Sequence, residues 1–411
     1  MTLRRVAEDF RVREVLHDET LAAVVPSWSE ETPFAVFLCE KRQKTTPEAS
    51  IALGRVLGVK PGSVAHAGLK DKHAVTTQHL SVRLEKARDL ARAEAPGLSY
   101  EPVGYAPRAL VAADIGHNAF EIVVRGLDRE RVGEMGRLAQ EYHAEGDANA
   151  ATLWFTNYFG SQRFGSARHK EGFAARSLIA GDYLEGIRLL VATPARKDTG
   201  MKRTFTRLCA QKWGRWEELA RELPACADRR PIERLAAGEP PMEAFASISP
   251  QTQQFAIDAF QSWLWNETAS LVTMRLAGAT TRAVMDDHGI LQFASPATLR
   301  PALESLGGVD GLVLPTASMD LKPRAPWAEA LATVLTKAGI TLANLRLPGL
   351  RRPMFRSVDR TLIAKATGFT MSRAEPDEFA PPRSPKKFLR RVSFTLPSGS
   401  YATVLLRALG E

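Results

Sequence analysis

Residues 67–82 read AGLKDKHAVTTQHLSV and place a loop directly before a strand. In this loop Gly68 permits a tight turn, and Asp71 stands between Lys70 and Lys72. Because neighbouring side chains of an extended chain point to opposite faces, we expect the two lysines on one face and Asp71 turned inward. An inward carboxylate needs a cation or hydrogen-bond donors from elsewhere in the chain. The alternative is a solvated Lys-Asp-Lys turn.

The segments around this loop predict a sheet packed against helices. In FAVFLC (34–39) the side chains that would face either side of a strand are all apolar, which is typical of a strand covered on both faces. TTPE (45–48) is a capping box that begins a helix. HLSVRL (79–84) alternates like a half-buried strand, FEIVV (120–124) is another strand, and a helix follows Asp128.

The middle of the chain has a different pattern from both ends. Residues 166–243 are helical in pattern and rich in charge. A long helix over 253–276 is expected to turn five side chains inward: Phe255, Ala259, Phe260, Trp263 and Leu264. A proline-rich loop (375–387) then precedes a strand at FTLP (394–397), a Ser-Gly-Ser turn and a final apolar segment.

Length and composition agree with a folded chain of about two domains. The 411 residues are 45% hydrophobic and 25% charged, which is near the average of globular proteins. Strands at both ends with helices between them predict that one domain is inserted into the other. The predicted outer domain comprises residues 1–165 and 353–411, and the inserted domain comprises residues 166–352.

The chain is basic, and this charge favours a polyanionic partner. Lys and Arg number 55 against 46 Asp and Glu, which gives a net charge of +9 at pH 7 and makes nucleic acid the first expectation. A basic cluster follows the proline-rich loop, and it is either a set of phosphate contacts or a solvated linker: Lys386, Lys387, Arg390 and Arg391.

Cysteine usage and hydropathy indicate a cytoplasmic protein. Cys39, Cys209 and Cys226 are odd in number and widely spaced, which favours buried thiols in a reducing compartment over disulfides or zinc. The N-terminal ten residues contain no apolar signal region, and no run of 18 apolar residues occurs. We therefore expect a chain that is neither secreted nor membrane-spanning.

Signatures of cofactor and metal chemistry are missing from the sequence. It contains no phosphate-binding loop, dinucleotide fingerprint, His-Glu-x-x-His or Gly-x-Ser-x-Gly motif. His66, His73 and His79 are spaced unlike any metal template. We therefore predict no cofactor and no metal.

Short polar-aromatic segments remain as candidates for chemistry. In GHNAFEIVVR (116–125), Asn118 and Phe120 share one side of a strand, so an amide and a ring could meet a planar heterocycle; a core ring beside a turn asparagine is the alternative. NYFGSQRFG (157–165) is a structured loop, which either packs as a corner or binds a ligand.

Two further segments complete the set. The tryptophans of FQSWLWNE (260–267) are expected in the core of a helical region. In FTLPSGSYATVLLR (394–407), Tyr401 follows a tight turn and Arg407 could supply a buried cation.

These five segments, in this order and spacing, resemble the TruD family of tRNA pseudouridine synthases. EDFRVREVL (8–16) resembles the opening segment of that family as well, so the resemblance runs from about residue 8 to residue 407. It implies an α+β fold: a pseudouridine-synthase-type catalytic domain with a mixed, mainly antiparallel central sheet, and an inserted, largely helical α/β TRUD domain.

The resemblance also implies an activity and its residues. Members isomerise uridine to pseudouridine in tRNA, at position 13 of the D-arm, without cofactor or metal. Carried over by motif, the catalytic aspartate is Asp71, and the substrate-binding residues are Phe10, Asn118, Phe120 and Tyr401. We expect a monomer with tRNA as its partner.

The residue types suit this reaction. A carboxylate must act at the ribose, either by attack on C1′ or by removal of the 2′ proton, and the sequence leaves both routes open. The target base must leave its helix, and aromatic rings can stack on it while Asn118 bonds to uracil or to Asp71. Candidates for the cation beside Asp71 are Arg4, which stands where the family has a basic residue, and Arg5, Arg163 and Arg407.

Two other hypotheses compete with a synthase. A tRNA-binding or tRNA-folding protein of the same fold would need the basic surface but not an inward carboxylate. A base deaminase would need zinc ligands, which the sequence does not offer, and nothing else favours a deaminase or a glycosylase.

Overall fold

The computed structural model of the protein describes residues 3–60, 62–88, 90–147, 150–167, 169–196, 198–380 and 386–411. The chain forms two compact units. Unit 1 comprises Met1–Phe155 and Ala364–Glu411, and unit 2 comprises Thr156–Ile363. The sequence predicts the junctions at 165/166 and 352/353, whereas the structure divides the chain at the ends of two sheet strands.

The strands of the described residues, numbered along the chain, are β1 (Phe10–Leu16), β2 (Phe34–Arg42), β3 (Val64–His66), β4 (Val75–Arg83), β5 (Ala93–Ala95), β6 (Leu98–Ala106), β7 (Ile115–Leu127), β8 (His143–Glu145), β9 (Ala151–Thr156), β10 (Arg282–Asp286), β11 (Gly289–Phe293), β12 (Val313–Pro315), β13 (Asp359–Thr361), β14 (Ile363–Met371), β15 (Glu375–Pro376) and β16 (Phe388–Pro397).

The α-helices are α1 (Asp18–Ala22), α2 (Thr46–Val56), α3 (Arg129–Glu141), α4 (Ala174–Ile179), α5 (Tyr183–Ile187), α6 (Gly200–Lys212), α7 (Trp216–Glu222), α8 (Arg230–Ala236), α9 (Pro241–Ala246), α10 (Pro250–Ala277), α11 (Pro296–Glu304), α12 (Ala328–Ala338) and α13 (Ala402–Ala408). Short 3₁₀ turns and one π-helical turn (Arg188–Ala192) connect some of them. None of the helices in the described ranges is both long enough and apolar enough to cross a membrane.

Unit 1 is built on one large mixed sheet. Its strand order is β5-β6-β2-β4-β1-β7-β16-β14-β9-β8, with β3 beside β4 and β15 beside β16. The pair β1/β4 is parallel, whereas β2/β4, β1/β7, β7/β16 and β14/β16 are antiparallel. The predicted α+β class with a mixed, mainly antiparallel central sheet is confirmed.

Local signals place the helices that cover this sheet. Helix α2 begins at the predicted capping box: Thr45 Oγ1 accepts from Glu48 N–H (3.2 Å), and Glu48 Oε2 accepts from Thr45 N–H (2.7 Å). Its Leu53 packs into a core with Phe37 and Tyr100. Helix α3 begins after Asp128 with a single N-cap bond, since Arg131 N–H donates to Asp128 Oδ1 (2.9 Å).

One prediction for the strands of unit 1 is wrong. HLSVRL is buried on both faces as far as Val82 rather than half-buried, because Ser81 Oγ accepts from Leu110 N–H (3.0 Å) and His79 contacts a buried glutamate, whereas Arg83 is exposed. The last apolar segment, for which the sequence predicts no particular element, is helix α13, whose Val404 and Leu405 are buried. The predicted proline-rich loop is partly the short strand β15, and its residues 381–385 lie outside the described part of the chain.

Unit 2 surrounds the long helix α10. The hairpin β10/β11 and the pair β12/β13 add two small sheets to its helices. Trp265 is buried and donates to Leu314 O (2.8 Å), as expected of a core tryptophan. Two of the predicted inward side chains are not in the core: Phe255 is 47% exposed and Trp263 is half-buried, because one helix cannot bury every apolar side chain around its axis.

The cysteines only partly follow the prediction. Cys39 and Cys209 are buried and unpaired, and burial raises the pKa of each thiol to about 12. Cys226 is exposed, so the expectation that all three are buried is wrong.

Candidate active site

Asp71 lies in the loop before β4, beside an arginine from the N-terminal segment. Arg4 Nη2 is 2.7 Å from Asp71 Oδ2, and His73 N–H donates to Asp71 Oδ1 (2.9 Å). The side chains of Asp71 and Arg4 are 16% and 28% exposed. Of the four candidate cations, Arg4 is therefore seen in an ion pair with Asp71, and the loop is not a freely solvated turn.

A buried lysine that the sequence reasoning missed holds the backbone of this loop. Lys41 is 0% exposed, and its ammonium donates to the carbonyl oxygens of Lys44 (2.7 Å), Asp71 (2.7 Å) and Lys70 (3.3 Å). Burial lowers the pKa of Lys41 to about 8 although the charge of Asp71 opposes this. The sequence signal for Lys41 was its position in the strand, because it lies on the same inward-facing side as Phe37 and Cys39.

Neutral hydrogen bonds fix the same loop from the other side. Lys70 N–H donates to Thr46 Oγ1 (3.0 Å), and this hydroxyl donates to Gln78 Oε1 (2.9 Å). Gln78 Nε2 donates to Gly68 O (3.2 Å). A Cβ at Gly68 would lie 3.0 Å from Ile115 Cδ1, so the glycine provides space for close packing here. The backbone that carries Asp71 is thus anchored at several points.

The two lysines beside Asp71 do not share a face, so that prediction is wrong. The Lys70 side chain is 9% exposed; its Nζ lies 2.9 Å from Glu14 Oε2 and donates to Asn118 Oδ1 (2.7 Å). Lys72 is exposed. The loop is irregular rather than extended, and a buried carboxylate attracts only the nearer ammonium.

Glu14, on β1, is the second residue that sequence reasoning missed. Its side chain is 0% exposed and accepts from His79 N–H (3.0 Å), with His79 Nδ1 at 3.4 Å. Burial opposes ionisation, but the hydrogen bond from His79 and the charge of Lys70 outweigh it, so the pKa of Glu14 lies below its ordinary value. The sequence signal for Glu14 was its place in VREVL, where it is an acidic residue on the buried side of the strand.

An aromatic row extends from Arg4 across the sheet. The Arg4 guanidinium lies 4.4 Å from the centre of the Phe10 ring. Phe10 meets Phe120 edge to face at 6.2 Å, and Phe120 stacks on Phe394 at 5.4 Å. Phe394 stacks in turn on Phe369 at 6.1 Å. Arg4 therefore connects the carboxylate of Asp71 to the rings of Phe10 and Phe120.

Strand register places the remaining predicted residues. In the β1/β7 ladder Asn118 is opposite Glu14, and Phe120 is opposite Val12, so the amide and the ring share one side of the strand. Tyr401 is half-buried and lies in the turn after β16, as the last residue before α13. The last paired residue of β16, Pro397, is opposite the neighbour of Asn118. The structure thus brings together Asp71, Phe10, Asn118 and Phe120, with Tyr401 beyond the end of the β7/β16 ladder.

Other predicted segments have structural roles. NYFGSQRFG forms a packed corner in which Tyr158 is fully buried and donates to Gln292 O (2.7 Å). Arg163 pairs with Asp258 at 3.2 Å. Among the side chains that the structure describes, no three His, Cys, Asp or Glu residues are grouped so that they could hold a metal ion.

Part of the basic cluster lies in strand β16, which is flanked by β7 and β14 within the sheet, and not in a linker. Arg390 and Arg391 lie within β16, where Arg390 donates to Val132 O (3.2 Å) and Arg391 lies 3.8 Å from a carboxylate oxygen of Glu375. Lys387 Nζ lies 3.8 Å from Asp128.

Comparison with known proteins identifies the fold. The fold matches the crystal structure of the protein assigned as tRNA pseudouridine synthase D (TruD) from Methanosarcina mazei, with a TM-score of 0.66 at 20% identity over 99% of this chain and 92% of that chain. The protein thus has the fold of a pseudouridine synthase with an inserted domain.

Sequence similarity narrows the class to one family. The chain is 27% identical to tRNA pseudouridine synthase D of Aquifex aeolicus, covering 99% of this chain and 97% of the relative. It is also 27% identical to tRNA pseudouridine synthase D of Geobacter metallireducens, covering 99% and 94%. The sequence matches the family tRNA pseudouridine synthase D (TruD) over residues 1–409. The chain belongs to the TruD family of tRNA pseudouridine synthases, which are isomerases.

Proposed function

We propose that the protein isomerises one specific uridine of tRNA to pseudouridine and that Asp71 is its catalytic carboxylate. The observation that carries this proposal is the placement of Asp71: it is partly exposed, paired with Arg4 at 2.7 Å, and connected through Arg4 to the ring of Phe10. By family resemblance the target is position 13 in the D-arm.

The reaction needs only groups that the chain supplies. The N1–C1′ bond breaks, a C5–C1′ bond forms, the proton at C5 leaves to solvent, and N1 gains a proton. No electrons enter or leave the base. Asp71 either attacks C1′ or removes the 2′ proton, and Arg4 orients its carboxylate through their ion pair.

The aromatic row suits a base that has left its helix. Extruding a nucleotide costs a few kcal/mol, which stacking on side-chain rings and hydrogen bonds to the base edge can offset. Phe10, Phe120 and Tyr401 are proposed to stack on or enclose the uracil, and Asn118 is proposed to bond to it. The row Phe10–Phe120–Phe394 gives the rings of Phe10 and Phe120 a fixed position before RNA binds.

Charge and domain organisation fit an RNA substrate. The net charge of +9 favours a polyanion. Unit 2 is proposed to be the inserted TRUD domain, and tRNA is proposed to be bound by a monomer in the cytoplasm without a nucleotide cofactor. The three cysteines without a disulfide agree with a reducing compartment.

The proposal is tested on unmodified tRNA transcripts incubated with the purified protein. Carbodiimide treatment followed by primer extension should reveal one new stop, in the D-arm at position 13. A stop elsewhere would overturn the assignment of position 13. Tight binding without any stop would contradict the proposed activity and support a tRNA-binding or tRNA-folding protein.

A further inference from the structure

The ammonium of Lys70 fixes which end of the Asn118 amide faces it. Lys70 Nζ lies 2.7 Å from Asn118 Oδ1. An ammonium can only donate hydrogen bonds, so the group it meets must be the carbonyl oxygen of the amide. The NH₂ group of Asn118 is therefore held on the side away from Lys70, as a pair of oriented donors.

Lys70 is itself held by a buried charge. Its Nζ is 2.9 Å from Glu14 Oε2, whose side chain is 0% exposed and also accepts from His79 N–H (3.0 Å). Glu14 is opposite Asn118 in the β1/β7 ladder, so both partners of Lys70 come from adjacent, paired strands. A lysine with two such partners and 9% exposure has little freedom to move its ammonium.

We propose that Lys70 is a positioning residue that orients Asn118, so that the amide NH₂ is presented to a carbonyl oxygen of the target uracil. This inference rests on the proposed function, in which Asn118 bonds to the base. Glu14 is the counter-charge that makes a buried ammonium tolerable at this position. Without Lys70 the amide can rotate and present its oxygen to the base instead, where two acceptors would face each other.

The variants are chosen to separate orientation from folding. Lys70→Met alone would leave Glu14 buried and unpaired, so it is made together with Glu14→Gln, and Glu14→Gln alone is the reference. Lys72→Met is the matched control, because it makes the same change at the exposed lysine on the other side of Asp71. Asn118→Asp keeps the contact to Lys70 but has no NH₂ group.

The expected result is a loss of turnover without loss of tRNA affinity. Relative to Glu14→Gln, the double variant should have a kcat lower by about 10- to 100-fold, the cost of misplacing one group in a reactive site. The Kd for a tRNA transcript should stay within about threefold, because phosphate contacts dominate affinity. Asn118→Asp should lose at least as much turnover, and Lys72→Met should stay within about twofold of the parent.

Three results would overturn the positioning role. The first is a kcat of Glu14→Gln/Lys70→Met that stays within about threefold of that of Glu14→Gln. The second is a kcat of Asn118→Asp that stays within about threefold of that of the parent. The third is an equal loss of kcat in the Lys70 and Lys72 variants. A parent protein that forms no pseudouridine would instead overturn the proposed function, so the two failures can be told apart.

Discussion

Asp9 and Asp71 are two aspartates of unit 1 that each pair with an arginine, and their surroundings differ in a way that separates stability from chemistry. Asp9 is 1% exposed; Arg125 Nε donates to its Oδ1 (2.8 Å), and the backbone N–H of Arg5 donates to its Oδ2 (2.9 Å). Arg125 in turn pairs with Asp377 at 3.0 Å. Asp71 keeps 16% of its side chain exposed and pairs with an arginine that is itself 28% exposed.

The difference shows what each pair is suited to do. Around Asp9, backbone N–H groups and the buried guanidinium of Arg125 donate to the carboxylate, and Arg125 also pairs with Asp377 and Glu378, which ties the N-terminal segment to β7 and to the segment after β15. Around Asp71, the buried cation Lys41 bonds to the backbone of the loop and leaves the carboxylate to Arg4 and His73 N–H. The first arrangement is suited to stabilise the fold, and the second holds the carboxylate that is proposed to react at an accessible position.

Exchanging each aspartate for asparagine should separate the two roles most strongly. Asp71→Asn should lower kcat by about 1,000-fold or more, because it removes the proposed catalytic carboxylate, while the free energy of unfolding changes by less than about 1 kcal/mol. Asp9→Asn should lower the free energy of unfolding by about 3 kcal/mol or more, because Arg125 stays buried with less charge around it.

Urea unfolding and turnover of the folded fraction measure both effects. The separate roles of the two aspartates would be contradicted if Asp9→Asn lost as much turnover per folded molecule as Asp71→Asn.

The aromatic row allows the same comparison among rings. Phe120→Leu should lower kcat by about 10- to 100-fold with tRNA affinity changed by less than about threefold, because it removes a ring that is proposed to contact the reacting base. Phe369→Leu, at the far end of the row, should cost a similar amount of stability and little turnover. Steady-state kinetics and filter binding measure both variants, and equal losses of affinity and turnover in Phe120→Leu would remove it from the site.

Lys41 extends the comparison to pH. Below pH 8 the Lys41 ammonium is charged in the folded and in the unfolded chain. Between its folded pKa of about 8 and its ordinary pKa of 10.5, Lys41 is neutral in the folded chain and still protonated in the unfolded chain. Its contribution to the free energy of unfolding therefore rises with pH in this interval, while the charged clamp on the loop of Asp71 is lost. We expect kcat to fall about tenfold from pH 7 to pH 9.

A pH–rate profile of the parent and of Lys41→Arg, which stays charged, checks this expectation. The same alkaline fall in both proteins would exclude Lys41 as its cause.

Tyr401 is expected to give the smallest effect. Tyr401→Phe keeps the ring that is proposed to enclose the base and should change kcat by less than about threefold, whereas Tyr401→Ala should cost more. Kinetics of the two variants decide the point, and a large loss in Tyr401→Phe would show that the hydroxyl takes part in the reaction.

The sequence predicts best what neighbouring residues determine. Apolar runs and the capping box at Thr45 place β2 and α2, and the period of two puts Asn118 and Phe120 on one side of β7. Motif resemblance adds the proposed roles of Asp71 and Tyr401, because the local pattern left Asp71 open between an inward carboxylate and a solvated turn and only placed Tyr401 after a tight turn.

What the sequence could not predict depends on contacts between distant segments. Lys70 turns away from Lys72 because Glu14, far earlier in the chain, offers a buried carboxylate. Lys41 looks like an ordinary strand lysine until the loop of Asp71 folds over it. Arg4 is one of four candidate cations, and only the course of the N-terminal segment brings it to Asp71.

The most direct test of the account is tritium release from a tRNA transcript that carries 5-tritiated uridine, since the C5 proton is lost when C5 joins C1′. The parent protein is predicted to release the label from one uridine per tRNA, and Asp71→Asn, folded and binding tRNA normally, is predicted to release none above background. Release by Asp71→Asn at a rate near that of the parent would contradict the central claim that the Asp71 carboxylate carries out the reaction.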